Sequence, residues 1–498
     1  MASTTRQPYE ADLNELLQRL TLGNVNRVAL VFSGRVIVES DLTRLRRPDE
    51  SGGTALLVLL CGSRTRPSAE VCARLDYVLG AVEMDDDYME QNMFTTDNVA
   101  LPAETIAVVE RVVSAFGADK AKERLSLVTF EEYLMRALAL LRRELALNGP
   151  DEAEVLRFAN KAEMMRVSAL HDLSPARTLT VRLPFANSVQ WDKATRSASS
   201  REGPLAMFRK TEFMTTVALE LGYPAFGKPS TGVAAVGCLN ITTERELSTW
   251  LDQRSEHAAN TSAGGIEYLV QQSFYELEEL HYYAFAVADG VYVPLFGNYA
   301  ANEPGHPTSI YRNVFINNPK AGFLYFQSPE QVEKDFPGAS AYLQKMLTAF
   351  RPSAGIFTGL SLFYERDTGG EAFGRLPTGD VRNARDYFGI DGACLMLEWA
   401  LHDTPPPVPQ PVVRQPCITF EIYKTPGKLR SKNDFDALSK QLLGEIKHVR
   451  WFVDVGQVME MTTSLRDKAC DFAIHSPNIA ALDNDIRATQ QLFKLDLA

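Results

Sequence analysis

Lys228 closes an apolar run of strand length, and a loop of small residues follows it directly. A lysine there supplies a compact cation. Gly232, Ala234, Ala235 and Gly237 leave room for backbone amides to close around an anion. The chemistry this combination suits is phosphate binding. It also suits a plain strand, turn and buried helix with one solvated lysine, and the pattern by itself leaves both readings open. Gly222, Gly227 and Lys228 imitate the GxxxxGK[ST] phosphate loop. That motif needs Ser or Thr after the lysine to hold magnesium at a helix start. Here Pro229 stands in the position, and no helical pattern follows Ser230. The motif is excluded. A GxGxxG dinucleotide site is excluded too, because none follows a strand-like run.

Around this segment helix and strand signals alternate. Residues 11–20 are amphipathic, and VALVF and TALLVLL are apolar runs of strand length. Helical periodicity returns at 103–116 and at 129–147, where Leu134, Leu138 and Leu141 share a stripe and Thr129 with Glu132 forms a capping box. One further helix is expected over 151–170; it carries Lys161, which taken alone reads as a solvated helix residue. TVRLPF and AFGKPS read as strands, and EYLVQQSF with the aromatic stretch after it as a sheet turning at Asp289 and Gly290. SLFYERDTGGEAFGRL reads as a hairpin turning at 367–370. The prolines of 404–416 mark a semi-rigid linker before a small C-terminal α/β piece. At 498 residues two or three domains are expected. Their expected bounds are 1–150, 151–403 and 404–498.

Hydrophobic residues at 45% and charged residues at 23% are ordinary for a soluble globular protein. A formal charge of -12 leaves no basic surplus to neutralise a nucleic acid. Six scattered cysteines without a CxxC pair point to reduced thiols rather than a disulfide scaffold or zinc knuckle. The N-terminus lacks an apolar signal core, and the apolar run 55–61 is far shorter than a membrane span. A cytoplasmic protein without a membrane partner is expected. Its assembly stays open, with a homodimer the commonest outcome for soluble enzymes.

Taken in order, these segments resemble the ATP-grasp enzymes, and most of all the L-amino-acid ligases that make dipeptides, the group that includes carnosine synthase. The run LGYPAFGKPSTGVAAVGCLNITTEREL resembles their nucleotide-binding strand, loop and helix. The likeness spans roughly 129–475; before it, only the general α/β character matches. It implies an α/β (α+β) class: an ATP-grasp fold with an N-terminal Rossmann-like pre-ATP-grasp domain and a small C-terminal lobe. The helix with Lys-x-x-Met implies a first phosphate-contacting lysine at Lys161, joined by Lys228, with Ser230, Thr231 and Gly232 at the phosphates. Gln272, Ser273 and Phe274 map to the connector that reads adenine. Glu279, or Glu278 if the spacing slips by one, maps to the carboxylate on the ribose. Tyr282 and Phe285 keep a core reading.

The same family holds magnesium between two acids on neighbouring strands, the second in a Glu-x-Asn-x-Arg run. Glu365 and Glu371 flank the 367–370 turn, so antiparallel pairing is expected to set them side by side. Two carboxylates so placed repel unless a cation lies between them. The implied ion is Mg2+, with Mn2+ as the alternative. Arg375 takes the place of the family's arginine, which holds the acyl phosphate or γ-phosphate. Phe373 stands at the asparagine position and cannot coordinate a metal. In 302–313, His306 could orient a substrate and Arg312 could meet a carboxylate; the stretch reads equally as a surface loop. The implied enzyme is an ATP-dependent ligase acting on a small-molecule carboxylate and amine through an acyl phosphate. The alternative, motivated by Phe373, is a catalytically altered nucleotide-binding module with a regulatory or partner-binding role.

Overall fold

The computed structural model describes residues 10–32, 41–48, 54–62, 67–79, 101–131, 134–173, 176–185, 189–190, 205–206, 210–232, 237–261, 265–274, 277–303, 306–308, 322–364, 371–374, 381–460 and 468–498. The first unit comprises α1 (Glu10–Thr21), β1 (Val25–Phe32), β2 (Thr54–Leu60), β3 (Tyr77–Leu79), α2 (Ala103–Phe116), β4 (Leu125–Thr129) and α3 (Met135–Glu144). Its strands form a parallel sheet in the order β3-β2-β1-β4. The apolar runs are continuous rather than alternating because both faces of this sheet are buried. Leu13, Leu16, Val108, Val112 and Leu138 cover one face. Cys394, Leu397 and Leu401, from far along the chain, cover Ala29, Val31, Leu57 and Leu59 on the other. The expected unit 1–150 is therefore not closed on itself. The capping box at Thr129 is also corrected: Thr129 ends β4, and α3 starts at Met135 without a side-chain cap.

The expected single helix over 151–170 is two. α4 (Glu152–Ala159) stops at Asn160, whose extended backbone (ψ 113°) breaks the helical path. The Asn160 side chain then accepts from the Glu163 N–H at 3.0 Å and caps α5 (Lys161–Leu170). Lys161 thereby becomes the first residue of a helix instead of the middle of one.

Next come β5 (Thr178–Leu183), α6 (Lys210–Glu220), β6 (Ala225–Pro229), β7 (Leu239–Ile241), α7 (Glu244–Thr261) and β8 (Ile266–Gln272). Here the strands form an antiparallel sheet in the order β5-β8-β6-β7. Val217, Leu247, Trp250 and Leu251 back it through Tyr268 and Val270. A larger sheet follows, built from β9 (Glu278–Ala288), β10 (Val291–Glu303), β11 (Gly322–Gln327), β12 (Phe357–Tyr364) and β13 (Glu371–Gly374). The helices α8 (Ala339–Phe350), α9 (Val381–Phe388) and α10 (Gly392–Leu401) accompany it.

Beyond the proline run lie β14 (Cys417–Tyr423), β15 (Glu445–Trp451), β16 (Lys468–His475) and α11 (Ile479–Leu492). These strands join the larger sheet, whose order is β13-β12-β9-β10-β11-β14-β16-β15. β14 pairs with β11 through Gly322 and Glu421. The boundary expected at 404 thus runs through one hydrogen-bonded sheet, while a small three-stranded sheet around Leu429 and Met459 stands apart from it. None of the six cysteines is in a disulfide. Among the described residues, no helix is long and apolar enough to cross a membrane.

Candidate functional site

β6 delivers Lys228 to the rim of its sheet, opposite Leu269 of β8. Its ammonium lies 6.0 Å from the Phe226 ring centre, on the same side of the strand. Gly227 between them is required by packing, since a Cβ there would sit 2.8 Å from the Trp250 ring. Past Pro229 the chain stays tied to β8, where the Ser230 N–H donates to the Glu267 carbonyl at 2.9 Å. Ser230 is fully buried, and its hydroxyl has no hydrogen-bond partner among the described residues. Thr231 is buried, and Gly232 adopts φ +135°, a backbone that L side chains rarely take. Ala234 and Ala235 lie outside the described residues.

Lys161 reaches this loop twice. Its N–H donates to the Ser230 carbonyl at 2.7 Å, and its ammonium to the Gly232 carbonyl at 2.8 Å. The helix it opens also lies against β13, the strand that begins with Glu371. Lys161, from a distant stretch, therefore meets the loop of small residues that follows Lys228.

The connector between the two sheets follows β8. Gln272 donates its N–H to the Arg177 carbonyl at 2.9 Å and accepts from the Arg177 Nε at 3.3 Å, which fixes the connector's start. The Gln271 Oε1 and Ser273 hydroxyl are buried without hydrogen-bond partners among the described residues. Phe274 packs on Phe363 of β12, with ring centres 5.6 Å apart.

Beyond the connector, β9 carries both candidate ribose acids. Glu278 is opposite Tyr364 and Glu279 opposite Phe363. Glu279 is only 2% exposed, and its Oε1 stands 3.5 Å from the Nε2 of His281. The Nδ1 of His281 is 3.1 Å from the Ser361 hydroxyl. Asn298, His281 and Ser361 share a row across β10, β9 and β12. This polar cluster was missed in the sequence. Its signal was the alternation Glu279, His281, Tyr283, which puts those side chains on one face of a strand. Tyr282 and Phe285 are core residues, as expected.

Of the expected acidic pair, Glu371 alone falls within the described residues. The register sets Phe363, not Glu365, opposite Glu371, because β12 and β13 pair Leu360 with Gly374 and Phe363 with Glu371. The acid that shares this row is Glu279, one strand further over. Glu365, Arg375 and Arg312 lie outside the described residues. His306 is exposed on a short strand, His306–Thr308, that pairs with β10. A separate cavity of about 400 Å³ opens between β4, α3 and α10, and none of the expected site residues lines it.

No protein-family model matches the sequence, and no curated protein matches it. Solved structures do. The chain is similar to an L-amino acid ligase from Bacillus licheniformis at 12% identity and TM-score 0.63, covering 95% of this chain and 99% of that one. It is similar to the biotin carboxylase domain of a Hydrogenobacter thermophilus 2-oxoglutarate carboxylase in complex with MgADP and bicarbonate. There the identity is 13% and the TM-score 0.55, over 94% and 90% of the two chains. It is also similar to a carboxyaminoimidazole ribonucleotide synthase from Aspergillus clavatus complexed with ATP, at 12% and 0.55, over 94% and 99%. The chain has the ATP-grasp fold. The ATP-grasp likeness extends through the N-terminal parallel sheet, where the sequence alone offered only α/β character. That sheet's order, with β1 inside and β4 beyond it, is Rossmann-like.

Proposed function

We propose that the chain is an ATP-dependent ligase that joins a carboxylate to an amine through an acyl phosphate, with amino acids as its substrate class. The supporting observation is the pairing of Lys161 with the Ser230–Gly232 loop beside Lys228. The buried hydroxyls of Ser230 and Ser273 and the Gln271 Oε1, all without partners, are groups that a bound nucleotide would satisfy. The likeness to an L-amino acid ligase supports the substrate class.

In this reading Ser230, Thr231 and Gly232 cover the phosphates, Ser273 and Phe274 flank the adenine, and Glu278 takes the ribose. Magnesium takes hard oxygens, commonly one or two carboxylates plus the substrate's own phosphates. Glu371, with Glu365 or with Glu279 of its own row, would supply those carboxylates; Phe363 and Phe373 carry no oxygen ligand. The ion supplies charge neutralisation on the phosphates when bound. A substrate carboxylate attacks the γ-phosphorus, the bond to the β–γ bridging oxygen breaks, and ADP leaves. Lys161 and Lys228 hold the charge that moves, and Arg375 holds the acyl phosphate. The amine then attacks the acyl carbon, gives up a proton, and phosphate departs. His306 and Arg312 are the candidate substrate contacts in this scheme.

The test is ADP and phosphate release over pairs of amino acids with Mg2+. ADP release that depends on two substrates is expected. The second reading, an altered nucleotide-binding module, is favoured by phenylalanine at both 363 and 373. ATP binding without any substrate-dependent ADP release would decide for it.

A further inference from the structure

Among residues with no part in the proposed nucleotide site, three side chains from three elements converge. Asp386 comes from α9, His448 from β15 and His475 from the end of β16. The Asp386 Oδ2 is 3.5 Å from the His475 Nε2 and 3.8 Å from the His448 Nε2. All three donor atoms lie within 4.8 Å of one another. A tetrahedral ion with bonds near 2.1 Å needs its ligands about 3.4 Å apart. Two of the separations are thus close to what an ion requires, and the half-exposed His448 has room to make up the rest.

The surroundings hold these groups in place. Ala384, Tyr387 and Phe388 anchor α9 in the core. Arg385 donates its Nε to the Asp386 Oδ1 at 3.0 Å, which leaves Oδ2 for the histidines. The register of β15 against β16 breaks between Lys447 and Arg450, and His448 sits in the break at φ +56°. Such a backbone is costly for a non-glycine residue, and bulges serve to re-aim a side chain. The His475 Nε2 is buried and, 3.5 Å from the Asp386 Oδ2, makes no hydrogen bond among the described residues. A plain ion pair does not explain the strained bulge.

We propose that Asp386, His448 and His475 bind a divalent transition-metal ion of the zinc class. Two imidazole nitrogens and one carboxylate oxygen suit Zn2+, Co2+ or Ni2+ and not Mg2+. Three protein ligands leave a fourth position for water. The ion would clip α9 to β15 and β16, adding to the packing of Tyr387 and Phe388 against Cys417. The proposal is independent of the ligase reading.

The test uses the full chain without a polyhistidine tag, stripped by a chelator and titrated with Zn2+ by calorimetry, with Co2+ as a spectroscopic probe. One ion per chain and a visible Co2+ absorption band are expected. Outer-sphere partners of a metal are worth 10–100-fold in affinity, so removing a ligand should cost at least about 100-fold. His448→Gln, at a half-exposed position, tests this without threatening the fold; Asp386→Asn and His475→Gln extend it. Absence of stoichiometric Zn2+ binding, or binding that His448→Gln leaves unchanged, would overturn the proposal.

Discussion

The ammonium of Lys161 donates to the carbonyl of Gly232 at 2.8 Å, across 71 residues of sequence. With the Lys161 N–H on the Ser230 carbonyl, this bond locks a helix start to the loop that follows Lys228. Lys161→Met removes both the charge and the tie to Gly232. Loss of one such preorganised donor is worth about 10²–10³ in turnover. Steady-state ADP release should fall by that factor, and a drop of less than tenfold would remove Lys161 from the site.

Lys228→Ala is expected to abolish ATP turnover while leaving the fold intact. Lys228 sits at the rim of its sheet and is partly exposed, so its loss opens no core cavity. Circular dichroism and Tm should match those of the parent. Phosphate release at the parent's rate across an amino-acid mixture would count heavily against the ligase reading.

Asn160→Ala deletes the cap that accepts from Glu163 and starts α5 at Lys161. Caps of this kind contribute about 1 kcal/mol. Denaturant unfolding should show that loss, and nucleotide affinity should weaken with it. A variant that loses stability and keeps full affinity would show that the break merely ends one helix and starts another.

Glu371→Gln should raise the Mg2+ concentration for half-maximal ADP release at least about tenfold, equivalent to about 1.4 kcal/mol. Phe363→Glu places a second carboxylate opposite Glu371 in the register and should lower that concentration. Unchanged Mg2+ dependence in both variants would exclude this row from the metal.

Gly227→Ala drives a methyl group to 2.8 Å from the Trp250 ring. Overpacking of this kind costs about 1–3 kcal/mol. The loss should appear in the unfolding free energy, and the paired change Trp250→Phe should recover part of it.

Residue types and their order determined a good deal by themselves. The strand ending at Lys228, the small residues after it, the connector at 272–274 and the buried Tyr282 and Phe285 were all legible, because each depends on local pattern. The continuous apolar strands of the first unit were legible for the same reason. What only the tertiary structure decided involves partners far along the chain. Asn160 breaks a stretch whose periodicity reads as one helix, and the strand and loop around Ser230 give that break its use. Pairing between β12 and β13 sets Phe363 opposite Glu371, and pairing between β9 and β12 brings Glu279 into the same row. The strands beyond the prolines join the larger sheet through Gly322 and Glu421, a contact that no local propensity encodes. Side-chain periodicity fixes the face of a residue; hydrogen-bond register between distant strands fixes its neighbour.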